Sequence, residues 1–476
     1  MKQLRSLLRQ LSASLRYEGP DMMISDIAYD SRKVSPGSLF VAIRGAEKDG
    51  HDFIDDAAAR GALACIAEEA SNSECPQILV PDSRIALAEL SRAFYLSESF
   101  PEFLVGVTGT NGKTTITHLL YQFAEAAAIK AALIGTLGLK TPDYRLDAER
   151  TTPESRDLAE RFRDFGSEGI RAVFMEVSSH AIALKRVHGL YFNLAIFSNL
   201  TRDHLDFHRD MEDYFETKSQ LFRNAASAVV NCADLYGNRL VQTLKGKVLR
   251  YAVSMRDADV YFKDLRVSID GIQGILTSPL GDIAVDTPLL GTFNAENIAA
   301  AVAAAVLLFP EKAGLLQNFS FRPVPGRMER ILTRRGTAVI DYAHTPDAME
   351  KALQAVRDLE GVKRVITVFG CGGDRDHGKR PLMGAVAERY SEHIILCNDN
   401  PRSEDPLAII EAIRSGIHDM GRTEICVDRA VAIARAYSLS QPGDILMVLG
   451  KGEENYMEIK GERIPFQDKK IIFGLE

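Results

Sequence analysis

The 476-residue sequence predicts an α/β protein of three domains, with mainly parallel sheets covered by helices. Three observations carry this. Short apolar runs of strand length alternate with segments whose apolar residues recur at helical spacing. The length accommodates roughly three domains of about 150 residues. The texture changes near residue 100 and again after Pro323, Pro325 and Gly326, giving stretches 1–100, 101–328 and 329–476.

In the first stretch, residues 38–43 form a short apolar run between Gly- and Pro-containing turns. The second opens on a buried-strand pattern at 104–107, then a Gly-rich turn, then Ile116, Leu119, Leu120, Phe123 and Ala127 at helical spacing. Residues 172–177 and 194–197 read as further buried strands. The third stretch repeats the alternation at 338–341, 365–369, 393–396 and 445–448, each run followed by a turn and a helical pattern. Crossover helices of this kind return the chain to the same end of the sheet, so the strands pair in parallel.

Hydrophobic residues at 46% and charged residues at 26% are the balance of a soluble globular protein. No apolar run approaches the roughly 18 residues of a membrane-spanning helix, and Arg5, Arg9 and Arg16 interrupt any signal-peptide core, leaving an amphipathic surface helix. The net charge of -8 argues against general nucleic-acid affinity, while local Arg and Lys clusters remain able to bind a small anion. The six cysteines contain no CxxC pair, so neither a zinc site nor a disulfide scaffold follows; reduced thiols in a cytosolic compartment are the simplest reading.

The most informative segment is Gly106-Val107-Thr108-Gly109-Thr110-Asn111-Gly112-Lys113-Thr114-Thr115, after a strand and before a helix. Its glycines let backbone N–H groups turn toward an anion, and the helix N-terminus adds a favourable dipole. Lys113 suits β- and γ-phosphates, and the Thr114 hydroxyl suits Mg2+. The strict GxxxxGK[ST] pattern is not met, because five residues separate Gly106 from Gly112. A capped Gly-rich turn is the bland alternative; the strand–loop–helix context favours ATP.

Residues 109–115 resemble the ATP loop of the Mur ligase family and of the related folylpolyglutamate synthetases, and the resemblance runs over nearly the whole chain. It implies a small α/β N-terminal substrate domain, a central P-loop-type ATPase domain with a mainly parallel sheet, and a C-terminal Rossmann-like α/β domain that binds an amino acid. The ATP contacts it implies are Gly109, Thr110, Asn111, Gly112, Lys113, Thr114 and Thr115, joined by Asn294 and by Arg327 and Asp341 when the third domain closes. Asn297 reads as a helix cap.

Glu176 ends an apolar strand, where open α/β sheets place ligands; beside a phosphate loop, Mg2+ binding outweighs the bland reading of a surface acid. Read alone, His204 is a structural histidine and Lys218 a solvated lysine on a helix. The resemblance implies instead that Lys113, Glu176, His204 and Lys218 form the catalytic group. It further implies that Thr114, Glu176, His204 and a carbamylated Lys218 hold Mg2+.

The segments around Asp30-Ser31-Arg32 and 45–51 read as a turn and a loop. The resemblance implies that Tyr29, Ser31, Ala46, Glu47 and Lys48 cradle a uridine-diphosphate-linked sugar peptide, whose remainder meets Thr151, Thr152, Ser178 and Arg186. Arg150 and Leu184 depart from the Asn and Gln of relatives. In the third stretch, Arg375 and Arg402 stand on loops after successive strands, and each offers a planar fork suited to a carboxylate. A local Asp partner is the bland reading of either alone. Asp399-Asn400-Pro401-Arg402 resembles the loop of family members that add meso-diaminopimelate, with Arg402 on the second carboxylate. Gly450 and Glu454 are further contacts, Glu454 facing the distant ammonium, and Glu453 replaces a His of relatives.

The implied reaction is ATP-dependent addition of meso-2,6-diaminopimelate to UDP-N-acetylmuramoyl-L-alanyl-D-glutamate through an acyl phosphate, with Mg2+, in the cytoplasm. The implied enzyme is a monomer without nucleic-acid or membrane partners. Domain closure would protect the acyl phosphate from water. L-lysine as the amino acid, a folylpolyglutamate-type ligase, and an ATP-binding switch that ligates nothing are the alternatives.

Overall fold

The first apolar runs pair as a four-stranded parallel sheet of β1 (Asp26–Ala28), β2 (Ser38–Val41), β3 (Ala64–Ala67) and β4 (Gln77–Leu79), in that order. Every residue of β2 and β3 is buried, as a strand covered on both faces requires, which is why these runs carry no polar alternation. Helix α1 (Ser83–Tyr95) closes one face; Asp82 caps it by accepting from the Arg84 and Ile85 N–H groups. The basic leading segment is helical over Leu4–Leu8, with Leu4, Leu7 and Leu8 buried in the same core. The computed structural model describes residues 1–13, 17–45, 48–96 and 101–476. Ala46 and Glu47, expected at the sugar-nucleotide site, lie outside the described residues.

Next come β5 (Phe103–Thr108), α2 (Lys113–Ala126), β6 (Ala131–Gly135), β7 (Gly138–Lys140), β8 (Arg145–Leu146), α3 (Ser155–Ser167) and β9 (Ala172–Glu176). They are followed by α4 (Ser179–Ala183), β10 (Leu194–Phe197), α5 (Met211–Arg223), β11 (Ser227–Asn231) and β12 (Lys247–Tyr251). The sheet order is β8-β7-β6-β9-β5-β10-β11-β12. Strands β6, β9, β5, β10 and β11 are parallel, and β7 and β8 are added antiparallel. Because β5 lies between β9 and β10, the loops leaving all three emerge together at the C-terminal edge, where open α/β sheets bind ligands. The N-terminal sheet is tied to α3: Arg156 Nε donates to Ile27 O at 2.9 Å and Tyr29 Oη to Asp157 Oδ2 at 2.6 Å. Residues Met1–Arg250 form one compact unit and Tyr251–Glu476 a second.

The second unit begins with an antiparallel meander of β13 (Tyr261–Ser268), β14 (Gly271–Ser278) and β15 (Gly281–Thr287). The sequence reading of this region as strand–helix alternation missed it. Its signal is the period-two burial of Ile283, Val285 and Thr287, which marks a sheet with one wet face. Helix α6 (Thr292–Leu308) is alanine-rich and buried on nearly all sides. Then follow β16 (Glu329–Thr333), β17 (Gly336–Asp341), α7 (Pro346–Arg357), β18 (Val365–Phe369), α8 (Lys379–Tyr390), β19 (His393–Leu396) and α9 (Pro406–Arg414). Strand β20 (Thr423–Ile425), α10 (Arg429–Leu439) and β21 (Ile445–Leu449) complete a sheet of order β16-β17-β21-β18-β19-β20, parallel except for the β16–β17 pair. A hairpin of β22 (Tyr456–Ile459) and β23 (Glu462–Pro465) and then α11 (Asp468–Gly474) follow. Apolar cores cover both faces of this sheet. No described helix is long and apolar enough to cross a membrane.

Candidate active site

The loop between β5 and α2 is shaped by Gly109 and Gly112, at φ 143° and 87°. A Cβ on Gly109 would clash with Ser198 Oγ, so both space and backbone demand glycine there. The segment after β10 braces the loop: Thr110 N donates to Asn199 O at 2.8 Å, Asn111 N to Asn199 Oδ1 at 3.0 Å, and Thr201 N to Thr110 Oγ1 at 3.0 Å. Lys113 Nζ donates to Gly109 O at 2.9 Å and Thr110 O at 2.8 Å. Thr114 and Thr115 are buried in the first turn of α2, whose N-terminus has no side-chain cap, leaving its N–H groups oriented for an anion.

Glu176 ends β9 beside this loop and is 1% exposed. Its carboxylate accepts from Thr136 N at 2.9 Å and Thr136 Oγ1 at 3.1 Å, and a side chain at Gly135 would occupy its place. His204 has a left-handed backbone, φ 53°, and its imidazole lies 4.9 Å from the His180 ring. Lost hydration on its packed side lowers its pKa first, opposed by Asp203 and reinforced by Lys113 and Lys218. Lys218, read from sequence as a solvated lysine, is wholly buried on α5; its Nζ donates to Gly109 O at 2.9 Å and lies 4.5 Å from the Tyr214 ring centre. Burial, then the charge of Lys113, holds its pKa well below the ordinary lysine value.

These donors fit Mg2+. One buried carboxylate, a hydroxyl and an imidazole beside a phosphate loop leave the remaining positions to phosphate oxygens and water, as this ion prefers. Among the described residues no three acidic, His or Cys side chains converge into a protein-only cage. Lys218 fits the set only as a carbamate, because an ammonium cannot ligate a cation.

Thr152, Ser178 and Arg186 meet beside Glu176: Thr152 Oγ1 donates to Glu176 O at 2.9 Å, Ser178 N to Thr152 Oγ1 at 3.2 Å, and Arg186 Nη1 to Thr152 O at 3.1 Å. Arg186 Nε also donates to the buried Glu154 at 2.9 Å, with Arg150 3.8 Å from the same carboxylate. Thr151 Oγ1 lies 3.1 Å from Thr136 Oγ1, which ties it to the carboxylate's own partner. Leu184 follows α4 as its C-terminal cap. Ser31 is buried in a short turn capped by Asp30, and Lys48 is exposed with its carbonyl accepting from Gly45 N at 2.9 Å.

In the second unit, Asn294 is 1% exposed with its amide spent locally, donating to Leu290 O at 2.8 Å and accepting from Asn297 at 3.0 Å. Asn297 is therefore no cap: Gly291 precedes α6, and Asn297 is buried a turn further on. The Arg327 guanidinium stacks 4.7 Å from the Tyr342 ring centre, with a buried Nε lacking a partner. Asp341 accepts from Met328 N at 2.7 Å and Ala343 N at 2.9 Å; burial raises its pKa and Arg327 opposes that rise.

The loops after β18, β19 and β21 converge. Gly373 N donates to Asn400 O at 2.9 Å, Asn400 Nδ2 to Glu454 Oε2 at 2.9 Å, and Gly450 N to Asp341 O at 3.1 Å. Asp399 keeps a buried Oδ2 without a hydrogen-bond partner, which a Cβ on Gly450 would crowd, and Pro401 is buried beside it. Arg402 is held by Glu458 and by Gly373 O, whereas Arg375 is exposed. Sequence reading missed four supports. Lys451 is wholly buried and donates to Asn400 Oδ1 at 3.0 Å and Glu454 Oε2 at 2.9 Å. Arg429 reaches Asp468, Asn398 O and Leu449 O from inside the core. Arg380 is 2% exposed and forks onto Glu404 at 2.8 and 2.9 Å. His180, held near pKa 4 by burial and then by His204 and His208, packs among the rings of His204, Phe207 and His208. Nothing in the local sequence marks them, because each stands in a loop or helix-start segment of ordinary polar composition.

Three family descriptions match this chain: "Mur ligase family, catalytic domain" over 23–95, "Mur ligase middle domain" over 107–305 and "Mur ligase, glutamate ligase domain" over 326–452. A UDP-N-acetylmuramoyl-L-alanyl-D-glutamate–2,6-diaminopimelate ligase of Geobacter sulfurreducens is 42% identical, over 94% of this chain and 93% of that one. The like-named protein of Geobacillus thermodenitrificans is 40% identical over 98% of both chains. A solved structure bearing the same enzyme name superposes with a TM-score of 0.70 and 33% identity, over 99% of this chain and 98% of that one. Matched by these three family descriptions and 42% identical to a relative over 94% of its length, this chain belongs to the Mur ligase family.

Proposed function

We infer that this chain is an ATP-dependent ligase that joins 2,6-diaminopimelate to UDP-N-acetylmuramoyl-L-alanyl-D-glutamate, in peptidoglycan precursor synthesis in the cytoplasm. The carrying observation is the pairing of opposite charges in one network: the Arg402 fork for the second carboxylate, and Glu454, bridged to the same loop through Asn400, for the distant ammonium. A ligand whose far end carries both a carboxylate and an ammonium answers both. The names borne by the relatives support the same substrate pair.

An amide does not form from a carboxylate and an amine in water without activation. The acceptor's terminal carboxylate attacks the γ-phosphorus of ATP, ADP leaves, and an acyl phosphate results; the amine then attacks the acyl carbon and phosphate leaves. Residues 109–115 bind the triphosphate, and Lys113 neutralises charge on the group in transit. Asn294, Arg327 and Asp341 serve the rest of the nucleotide. Tyr29, Ser31, Lys48, Thr151, Thr152, Ser178 and Arg186 orient the acceptor, and Arg375, Asp399, Asn400, Pro401, Arg402, Gly450 and Glu454 the amino acid. Thr114, Glu176, His204 and carbamylated Lys218 would hold Mg2+, which when bound supplies charge compensation to the phosphates. The functional domains are drawn at 1–100, 101–328 and 329–476, and the enzyme acts as a monomer.

Purified chain given Mg2+, ATP and the uridine-linked dipeptide should release phosphate on addition of diaminopimelate and yield the tripeptide product by mass spectrometry. A preference for L-lysine would overturn the role of Arg402, and ATP turnover without product would overturn the ligase reading.

A further inference from the structure

We propose that Glu458, on β22, is the positioning residue that makes Arg402 selective for an amino acid with a second carboxylate. The proposal rests on the substrate class inferred above and deepens it. Arg402 has a left-handed backbone, φ 52°, which few side chains of its size adopt. That conformation is gripped from the hairpin: Arg402 N donates to Glu458 O at 3.0 Å, and Lys460 N donates to Arg402 O at 2.7 Å, a parallel bridge to Ile459. The Glu458 side chain then takes Arg402 Nε at 3.2 Å, while Nη1 donates to Gly373 O at 2.6 Å. Neither bond uses Nη2. Two of the three guanidinium nitrogens are pinned to opposite supports, so the plane of the fork is set before a ligand arrives.

The advantage is one of preorganisation. An unanchored arginine loses rotamer freedom when it binds, whereas a fixed fork has already lost it on folding. The hairpin also sets the spacing to the group that faces the ligand's distant ammonium. Glu458 N donates to Asn400 Oδ1 at 2.9 Å, and Asn400 Nδ2 donates to Glu454 Oε2 at 2.9 Å. One residue thus registers the carboxylate fork against the ammonium acceptor. An amino acid with an ammonium and no second carboxylate leaves Arg402 Nη2 unpaired beside a cation, which is the basis of its rejection.

The test is steady-state kinetics of the full chain with diaminopimelate and with L-lysine. Glu458→Ala should raise KM for diaminopimelate roughly tenfold while KM for ATP and for the acceptor stays within about twofold, lowering the diaminopimelate-to-lysine ratio of kcat/KM. Glu458→Gln, whose amide oxygen still accepts from Nε, should retain most of that ratio. In an Arg402→Ala background, Glu458→Ala should change nothing further. Equal losses with both amino acids and a lowered Tm would mean a merely structural residue and overturn the proposal, as would additive effects in the double variant. A wild-type chain that does not ligate diaminopimelate would refute the substrate reading itself, before any variant is compared.

Discussion

Two lysines crowd one carbonyl: Lys113 and Lys218 both donate to Gly109 O at 2.9 Å. With burial added, the ammonium of Lys218 is disfavoured, so more neutral amine is present near neutral pH than in a free lysine. A neutral buried amine is the form that adds carbon dioxide, and the resulting anion would relieve the repulsion from Lys113. Isotope-labelled bicarbonate should therefore give a carbamate signal by NMR that grows as pH rises through the lowered pKa and disappears in Lys218→Arg. A chain without that signal at any pH would remove Lys218 from the Mg2+ set. On the proposed mechanism, Lys113→Ala should lower kcat at least about a hundredfold with an unchanged Tm.

Elements are locked by buried ion pairs that apolar patterning cannot foretell. Arg429 at the start of α10 meets Asp468 at the start of α11 at 2.7 and 2.8 Å, with both side chains at 0% exposure. Asp468→Ala strands that guanidinium in the core and should cost about 3–5 kcal/mol in urea denaturation. Because Arg429 also donates to Asn398 O and Leu449 O, the loops after β19 and β21 should loosen with it. The Arg380–Glu404 pair gives a pH signature. Hydrogen bonds from Arg380 lead in lowering the Glu404 pKa to about 2. That stabilisation is complete above the unfolded value of about 4.3 and is lost as pH falls toward 2. Glu404→Gln should thus be less stable than wild type at pH 7 by about 2 kcal/mol, and the two should converge in acid. A constant gap down to pH 2 would contradict it.

At the scale of the whole molecule, Lys113 belongs to one compact unit and Arg402 to the other, so the proposed activation and capture are separable by mutation. Arg402→Ala should still form the acyl phosphate, trapped as a hydroxamate with hydroxylamine, while kcat/KM for diaminopimelate falls at least about tenfold. Lys113→Ala should form no hydroxamate. Loss of trapping in both variants would show that Arg402 acts in activation as well.

The sequence by itself determined the α/β class, the strands that carry the candidate loops, the Gly-rich turn ahead of Lys113 and the family. Each of these is written in local order: predominantly apolar strand runs, and glycines placed where the backbone needs them. Only the tertiary structure decided the burial of Lys218, the internal role of Asn297, the antiparallel meander of residues 261–287, and the grip of Glu458 on Arg402. These depend on which distant segments meet, and a lysine in a helix or a glutamate in a hairpin reads alike in sequence whether water or a second charge faces it.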